Sequence, residues 1–418
     1  MTEGLLLVML VSIATAYLFA VAVRRGLSLI QFRVAFIGMA TIFGVSPIVV
    51  AILGSQSLRS SDYPRFALYA LAMLCFVVAY EITRPASRRR AGEDSYDALF
   101  GVVGWVFIVA GVLAFGVFVD RNGLEFLWMA KSDVYLLSED LGPEKFAKDL
   151  VMTGAIILGY DACRRRLLNA PFLIVYVGTL ALGVVLSRRS MLLTMLAALA
   201  FYYHHAVRPL PAKWLVVVGI GFLSIGGAWN QVYGFLLGYP GYAFTLTDRD
   251  WWVENNPFFQ LRSSDEIWTN VWNSQPELGR TYINAFKAVL VPKFLGGTAH
   301  SLNTWYTERY FGELVGTGAG FAFSELVESY INFGLIGPLM VFSVLGFLAR
   351  KADTVSPIRL LFLRGLAFGS LHEVFMGEFA NLLKFQIVFF CAAPYALYWA
   401  LRFLREVMRT ACTSQRFP

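Results

Sequence analysis

A chain of 418 residues in which 57% are apolar and only 15% charged cannot divide itself between a core and a wetted surface, which excludes an ordinary water-soluble domain and makes hydrocarbon its main solvent. The formal charge of +7 comes from arginine clusters beside the apolar runs, a pattern that orients a chain in a membrane and does not call for nucleic acid. The apolar runs are roughly 17–25 residues long, as a helix needs to cross about 30 Å of hydrocarbon with its own hydrogen bonds satisfied. The short alternating strands of a barrel are missing, so the predicted class is all-α.

In chain order, the spacing predicts eleven membrane helices, over 4–23, 34–53, 65–82, 98–118, 148–162, 170–187, 190–204, 213–232, 326–348, 357–376 and 380–401. Glu3 precedes the first span and Arg24 and Arg25 follow it. This is the reverse of a secretory leader, so the span is expected to be retained with its start outside. The remaining loops agree. With an outer start, the cytoplasmic segments hold Arg24, Arg25, Arg33, Arg84, Arg88, Arg89, Arg90, Arg164, Arg165, Arg166, Arg208, Lys213, Arg350, Lys351, Arg359, Arg402, Arg405, Arg409 and Arg416. The short outer loops hold only Arg59, Arg65, Arg121, Lys131, Lys145, Lys148, Arg188 and Arg189. The excess inside predicts an outer amino terminus and a cytoplasmic carboxyl terminus.

This divides the chain into three parts. Residues 1–232 carry eight spans and a smaller outer loop at 119–147, 233–321 form a large outer loop, and 322–418 carry the last three spans and a cytoplasmic tail. A loop as long as 233–321 in a compact membrane protein is usually functional. Its Trp251, Trp252, Trp268, Trp272 and Trp305 suit an interfacial belt, with sugar stacking as the alternative. Asp248, Arg249 and Asp250 form a DxD tripeptide, but on the outer side no nucleotide is present to share a metal with it. Neither His300 nor His372 belongs to a zinc-type spacing. No cofactor and no metal are expected, and Cys75, Cys163, Cys391 and Cys412 lie outside the outer loops.

The ionisable residues near the spans gather at the outer face. Glu325 and Glu328 enter the ninth span, His372 and Glu373 end the tenth, Lys384 begins the eleventh, and Arg188 and Arg189 occupy the turn between the sixth and seventh. A proton or ion pathway places partnered charges deep in the bilayer; this pattern describes a polar site opening on the outer leaflet. Outside the cytoplasm a bond-forming enzyme needs a substrate that arrives already activated, and a lipid-linked pyrophosphate sugar meets that need. Guanidinium groups bind phosphate oxygens bidentately, so Arg188 or Arg189 together with Arg309, and Arg280 beside them, are the expected pyrophosphate ligands, with Arg262 and Lys384 as substitutes. Glu325 or Glu328 is the expected general base, with His300, Asp265 and Glu266 as further candidates. Three residues apart, the two glutamates can share a helix face, and either could instead serve to hold the loop by pairing with a cation.

The stretch from His300 to Gly346, with Glu325, Leu326, Glu328, Tyr330, Asn332, Phe333, Gly334 and Gly337, resembles the signature region of the Wzy-type O-antigen polymerases, the oligosaccharide repeat-unit polymerases. Ser187, Arg188, Arg189 and Ser190 resemble the Ser-Arg element of those enzymes, and Arg309 with Gly320 fits their Arg-x10-Gly pattern. A second such element is not found at Arg121 or Arg188. The resemblance implies a multispanning bacterial inner-membrane glycosyltransferase of the lipid-linked-donor, GT-C-like type. It would join undecaprenyl-pyrophosphate-linked oligosaccharide repeat units, with a chain-length regulator as a possible partner. An O-antigen ligase, in which His300 would match a histidine near the end of the loop, and a polysaccharide flippase or transporter are the alternatives.

Overall fold

The computed structural model of the chain describes residues 30–40, 62–85, 97–124, 146–185, 189–211, 267–291, 301–315, 321, 323–355 and 360–414. These residues are overwhelmingly helical, and no strand occurs among them. The elements are α1 (Asp62–Ile82), α2 (Leu99–Asn122), α3 (Ala147–Arg165), α4 (Ala170–Val185), α5 (Arg189–Ala206), α6 (Arg280–Leu290), α7 (Leu302–Tyr310), α8 (Glu325–Phe333), α9 (Ile336–Thr354), α10 (Leu361–Gly369), α11 (Glu373–Met376) and α12 (Ala393–Ser414). Two helical runs, Leu99–Asn122 and Phe379–Thr410, are long and apolar enough to cross a membrane. The predicted first and eighth spans, most of the second, the DxD tripeptide and most of the 119–147 loop lie outside the described residues.

The chain divides into two compact units. The first comprises Met1–Arg89, Leu210–Val355 and Leu371–Ala380. Its backbone is the packing of α1 against α9. Phe36 stacks on Phe76 with ring centroids 3.8 Å apart, and Phe342 meets Phe36 edge-on at 5.8 Å. Gly346 makes this approach possible, because a Cβ there would overlap the carbonyl oxygen of Phe76. At the far end of α9, the Asp353 carboxylate accepts from the backbone N–H groups of Phe32 at 3.0 Å and Arg33 at 3.3 Å, and from the Tyr80 hydroxyl at 2.9 Å. One aspartate thus caps the helical stretch over 32–40 and ties it to α1 and α9.

The second unit comprises Arg90–Pro209, Ser356–Ser370 and Asn381–Pro418. Here α2 and α3 pack through small residues. A Cβ on Gly154 would lie 2.7 Å from the Gly104 carbonyl oxygen, and one on Gly111 2.7 Å from the Val151 nitrogen. Close backbone approach of this kind is how helices gain dispersion contacts where lipid supplies no hydrophobic drive. Another face of α2 exposes Val102, Trp105, Val106, Val109, Val112 and Leu113 at helical spacing. The Tyr202 hydroxyl donates to the Phe362 carbonyl at 3.0 Å, locking α5 to α10.

The last three predicted spans are less regular than expected. The ninth is two helices, α8 and α9, because Gly334 takes φ +60° at the end of α8 and Pro338 suits only the first turn of a new helix. The tenth is α10, a 3-10 turn over Ser370–His372, and the four-residue α11. The eleventh contains a π-helical stretch, Leu382–Ala392, before α12, and its helix runs on past the predicted end at 401 as an arginine-bearing extension with exposed Phe403, Leu404, Val407 and Met408.

Candidate functional site

The two glutamates expected from the sequence are both buried in the first unit, on α8, at 5% (Glu325) and 1% (Glu328) exposure. Their surroundings differ. Thr281 Oγ1 donates to Glu328 Oε1 at 2.9 Å, and the Phe379 backbone N–H donates to Glu328 Oε2 at 2.7 Å. Both oxygens are therefore held. Glu325 accepts from the Tyr282 hydroxyl on Oε2 at 3.2 Å, while its Oε1 is buried with no hydrogen-bond partner among the described residues. The Tyr282 phenol is pushed far up, by burial and then by the neighbouring charges of Glu325 and Glu328, so it remains a donor. Glu328 is built as an anchor and Glu325 as a group with an oxygen to spare.

The helix α6 that faces them starts from an uncommon turn. Leu278 (φ 49°) and Gly279 (φ 86°) both lie in the left-handed region, and Gly279 at the N-cap has no side chain to satisfy the first turn. The cap comes from α8 instead. Asn332 Oδ1 accepts from the Thr281 backbone N–H at 3.2 Å, and its Nδ2 donates to Thr281 Oγ1 at 2.6 Å and to the Glu328 carbonyl at 2.9 Å. The Glu277 backbone N–H donates to the Ile331 carbonyl at 2.9 Å, fixing the turn to the same helix.

Beyond that turn, Arg309 at the end of α7 pairs with Glu277 Oε1, and Arg280 Nη1 stands 3.8 Å from Glu277 Oε2. The Arg309 guanidinium also lies over the rings of Trp305 at 5.2 Å and Tyr310 at 5.7 Å, contacts that hold a planar cation in place. The start of α7 is tied in as well. The Glu378 carboxylate accepts from the Asn303 backbone N–H at 3.0 Å, and Ser301 Oγ accepts from that of Thr304 at 3.2 Å. Negative charge here matches the positive end of the helix dipole. Asn303 Oδ1 accepts from the Phe321 N–H at 2.7 Å.

A closed circuit results: Glu328 to Thr281, the turn at Glu277, Arg309, along α7 to Asn303, then Glu378 and Phe379 back to Glu328. It brings together four of the expected site residues, Glu325, Glu328, Arg280 and Arg309. His300 and Arg188 lie outside the described residues, as do Arg262, Asp265 and Glu266. Arg189 opens α5 in the second unit, where its side chain is not described, and Lys384 in that unit lies against Phe146 and Phe385. His372 and Glu373 are buried, with His372 Nε2 3.3 Å from Glu373 Oε1.

The aromatic belt expected of the large loop is corrected at Trp268. It is buried, meets the Tyr330 ring at 5.3 Å and lies beside Trp272, which stacks on Tyr330 at 5.1 Å. These rings pack the loop onto α8. Glu277, Thr281, Tyr282 and Glu378 carry much of the site without having been expected. An exposed-looking loop acid and a Thr-Tyr pair at a helix start have no pattern that marks them.

No family model, no curated protein and no solved structure matches the chain.

Proposed function

We propose that this chain is an integral membrane glycosyltransferase of about eleven spans, amino terminus outside, that polymerises undecaprenyl-pyrophosphate-linked oligosaccharide repeat units into O-antigen or a related surface polysaccharide at the outer face of the bacterial cytoplasmic membrane. The supporting observation is Glu325: a buried carboxyl with one oxygen unpartnered among the described residues, held by Tyr282, two residues along α6 from a guanidinium that shares an ion-paired cluster with a second one. Exposed apolar stripes on α2, on α4 (Leu173, Ile174, Val177) and on α9 (Met340, Val344, Leu348) agree with lipid around the bundle.

In this reading the acceptor sugar hydroxyl approaches Glu325 Oε1 and gives it its proton as the hydroxyl oxygen bonds to the anomeric carbon of the donor chain. The bond from that carbon to the lipid pyrophosphate breaks, and the pyrophosphate leaves with the electron pair. Arg309 and Arg280 oppose the charge that develops on it. Once the linkage has formed, Glu325 releases the proton and is ready for the next hydroxyl. Glu328 keeps α6, α8 and the Phe379 turn in register.

The test is direct. Purified full chain in detergent, given lipid-linked repeat units and no nucleotide, is expected to lengthen them and to release one undecaprenyl pyrophosphate per linkage; Glu325→Gln is expected to abolish both. A requirement for a nucleotide sugar would overturn the proposal. A ligase would instead leave single repeats unextended and transfer them to a lipid A-core acceptor.

A further inference from the structure

We infer that Glu277 is an internal stand-in for the substrate's anion: its carboxylate occupies the Arg280–Arg309 site until a diphosphate group displaces it. This inference rests on the diphosphate reading of that site and adds the group that regulates access to it.

Two guanidinium groups converge on this single carboxylate, leaving the cluster with a surplus positive charge that a doubly charged diphosphate would neutralise better. The cations face outward while the acid does not. The Arg280 and Arg309 side chains are 70% and 42% exposed, against 12% for Glu277. Arg309 has contacts besides Glu277, since its guanidinium also lies over the rings of Trp305 and Tyr310. Arg280 is held loosely, at 3.8 Å, a separation at which it can turn toward another anion at little cost.

The backbone of Glu277 is fixed. Its N–H donates to the Ile331 carbonyl, its own carbonyl accepts from the Arg280 N–H at 2.9 Å, and the Leu278–Gly279 turn follows at once. Displacement therefore needs only rotation of the Glu277 side chain, with both arginines left in place. Because the tethered Glu277 carboxylate already pairs with both guanidinium groups, a free monovalent anion of the same charge gains nothing by replacing it, whereas a diphosphate brings more charge and more acceptor oxygens.

The experiment uses the full chain in nanodiscs of neutral lipid and measures binding by calorimetry in two arms, one with inorganic pyrophosphate and one with a short polyprenyl diphosphate. Exposed pairs of this kind hold weakly, so Glu277→Gln is expected to bind tighter than the parent by roughly three- to tenfold. Glu277→Ala should do the same, and adding Arg309→Ala should remove the gain. A gain in the polyprenyl arm, alone or with the inorganic arm, supports a membrane-borne diphosphate; a gain in the inorganic arm alone supports free pyrophosphate as the occupant. Equal affinity of parent and both Glu277 variants in both arms overturns the inference, as does a gain that survives Arg309→Ala. If repeat units are still extended in that case, the polymerase reading stands without the Glu277 switch. If Glu277→Gln gains affinity while the parent extends nothing, the polymerase reading fails and the switch stands.

Discussion

Thr281→Val tests the anchor at the centre of the polar circuit. Valine matches threonine in shape but can neither donate to Glu328 Oε1 nor accept from Asn332 Nδ2, contacts of 2.9 and 2.6 Å in the native protein. Both partners are buried, so Glu328 Oε1 would lose this donor and Asn332 Nδ2 would keep only its bond to the Glu328 carbonyl. A hydrogen bond to a charged group contributes about 1.5–3 kcal/mol and a neutral one about 0.5–1.5 kcal/mol, which puts the combined loss at roughly 2–4 kcal/mol. For a unit of this size that lowers the melting temperature by about 4–8 °C. Thermal melting of the full chain in detergent measures it, with Thr281→Ser as the control that keeps the hydroxyl and is expected to fall by much less. A Thr281→Val protein that melts with the parent would refute the role given to Glu328, because no buried carboxylate could lose its donor without cost.

Other outcomes follow from neighbouring features. Gly346→Ala sets a methyl group against the Phe76 carbonyl and should cost about 1–3 kcal/mol, read as a lower melting temperature, whereas Gly116→Ala, which meets nothing within 4 Å, should not. Arg309→Lys keeps the charge and loses the planar fork, so donor KM should rise severalfold in an extension assay.

The helical class and the positions of several helices were legible from apolar run length alone: α2, α3, α4 and α5 fall within a few residues of where hydropathy places them. Hydropathy alone gives the ninth span as unbroken, although Asn332-Phe333-Gly334 and Pro338 spell out a helix stop and a new start; apolar length masks local turn chemistry. The π-helical stretch over Leu382–Ala392 has no comparable signal. At the site, the acidic pair was found from its place at the head of a span, but sequence spacing treated Glu325 and Glu328 as equivalent. Their difference comes from Thr281 and Phe379, which are distant in sequence and satisfy only one of them. Glu277 was invisible for the same reason, since its partners Arg280 and Arg309 meet only once α6 and α7 are placed.

The central claim is that Glu325 accepts a proton during glycosyl transfer from a lipid pyrophosphate. The measurement that bears on it most directly is the initial rate of nucleotide-free chain extension as a function of pH, under saturating donor, for the parent, Glu325→Gln and Glu328→Gln. The parent rate is expected to climb with pH as the general base ionises and then to level off, with no measurable extension by Glu325→Gln and a slower Glu328→Gln whose profile keeps the parent's limb. A Glu325→Gln protein that extends repeat units at the parent's rate, or a parent rate that is flat through this range, would contradict it.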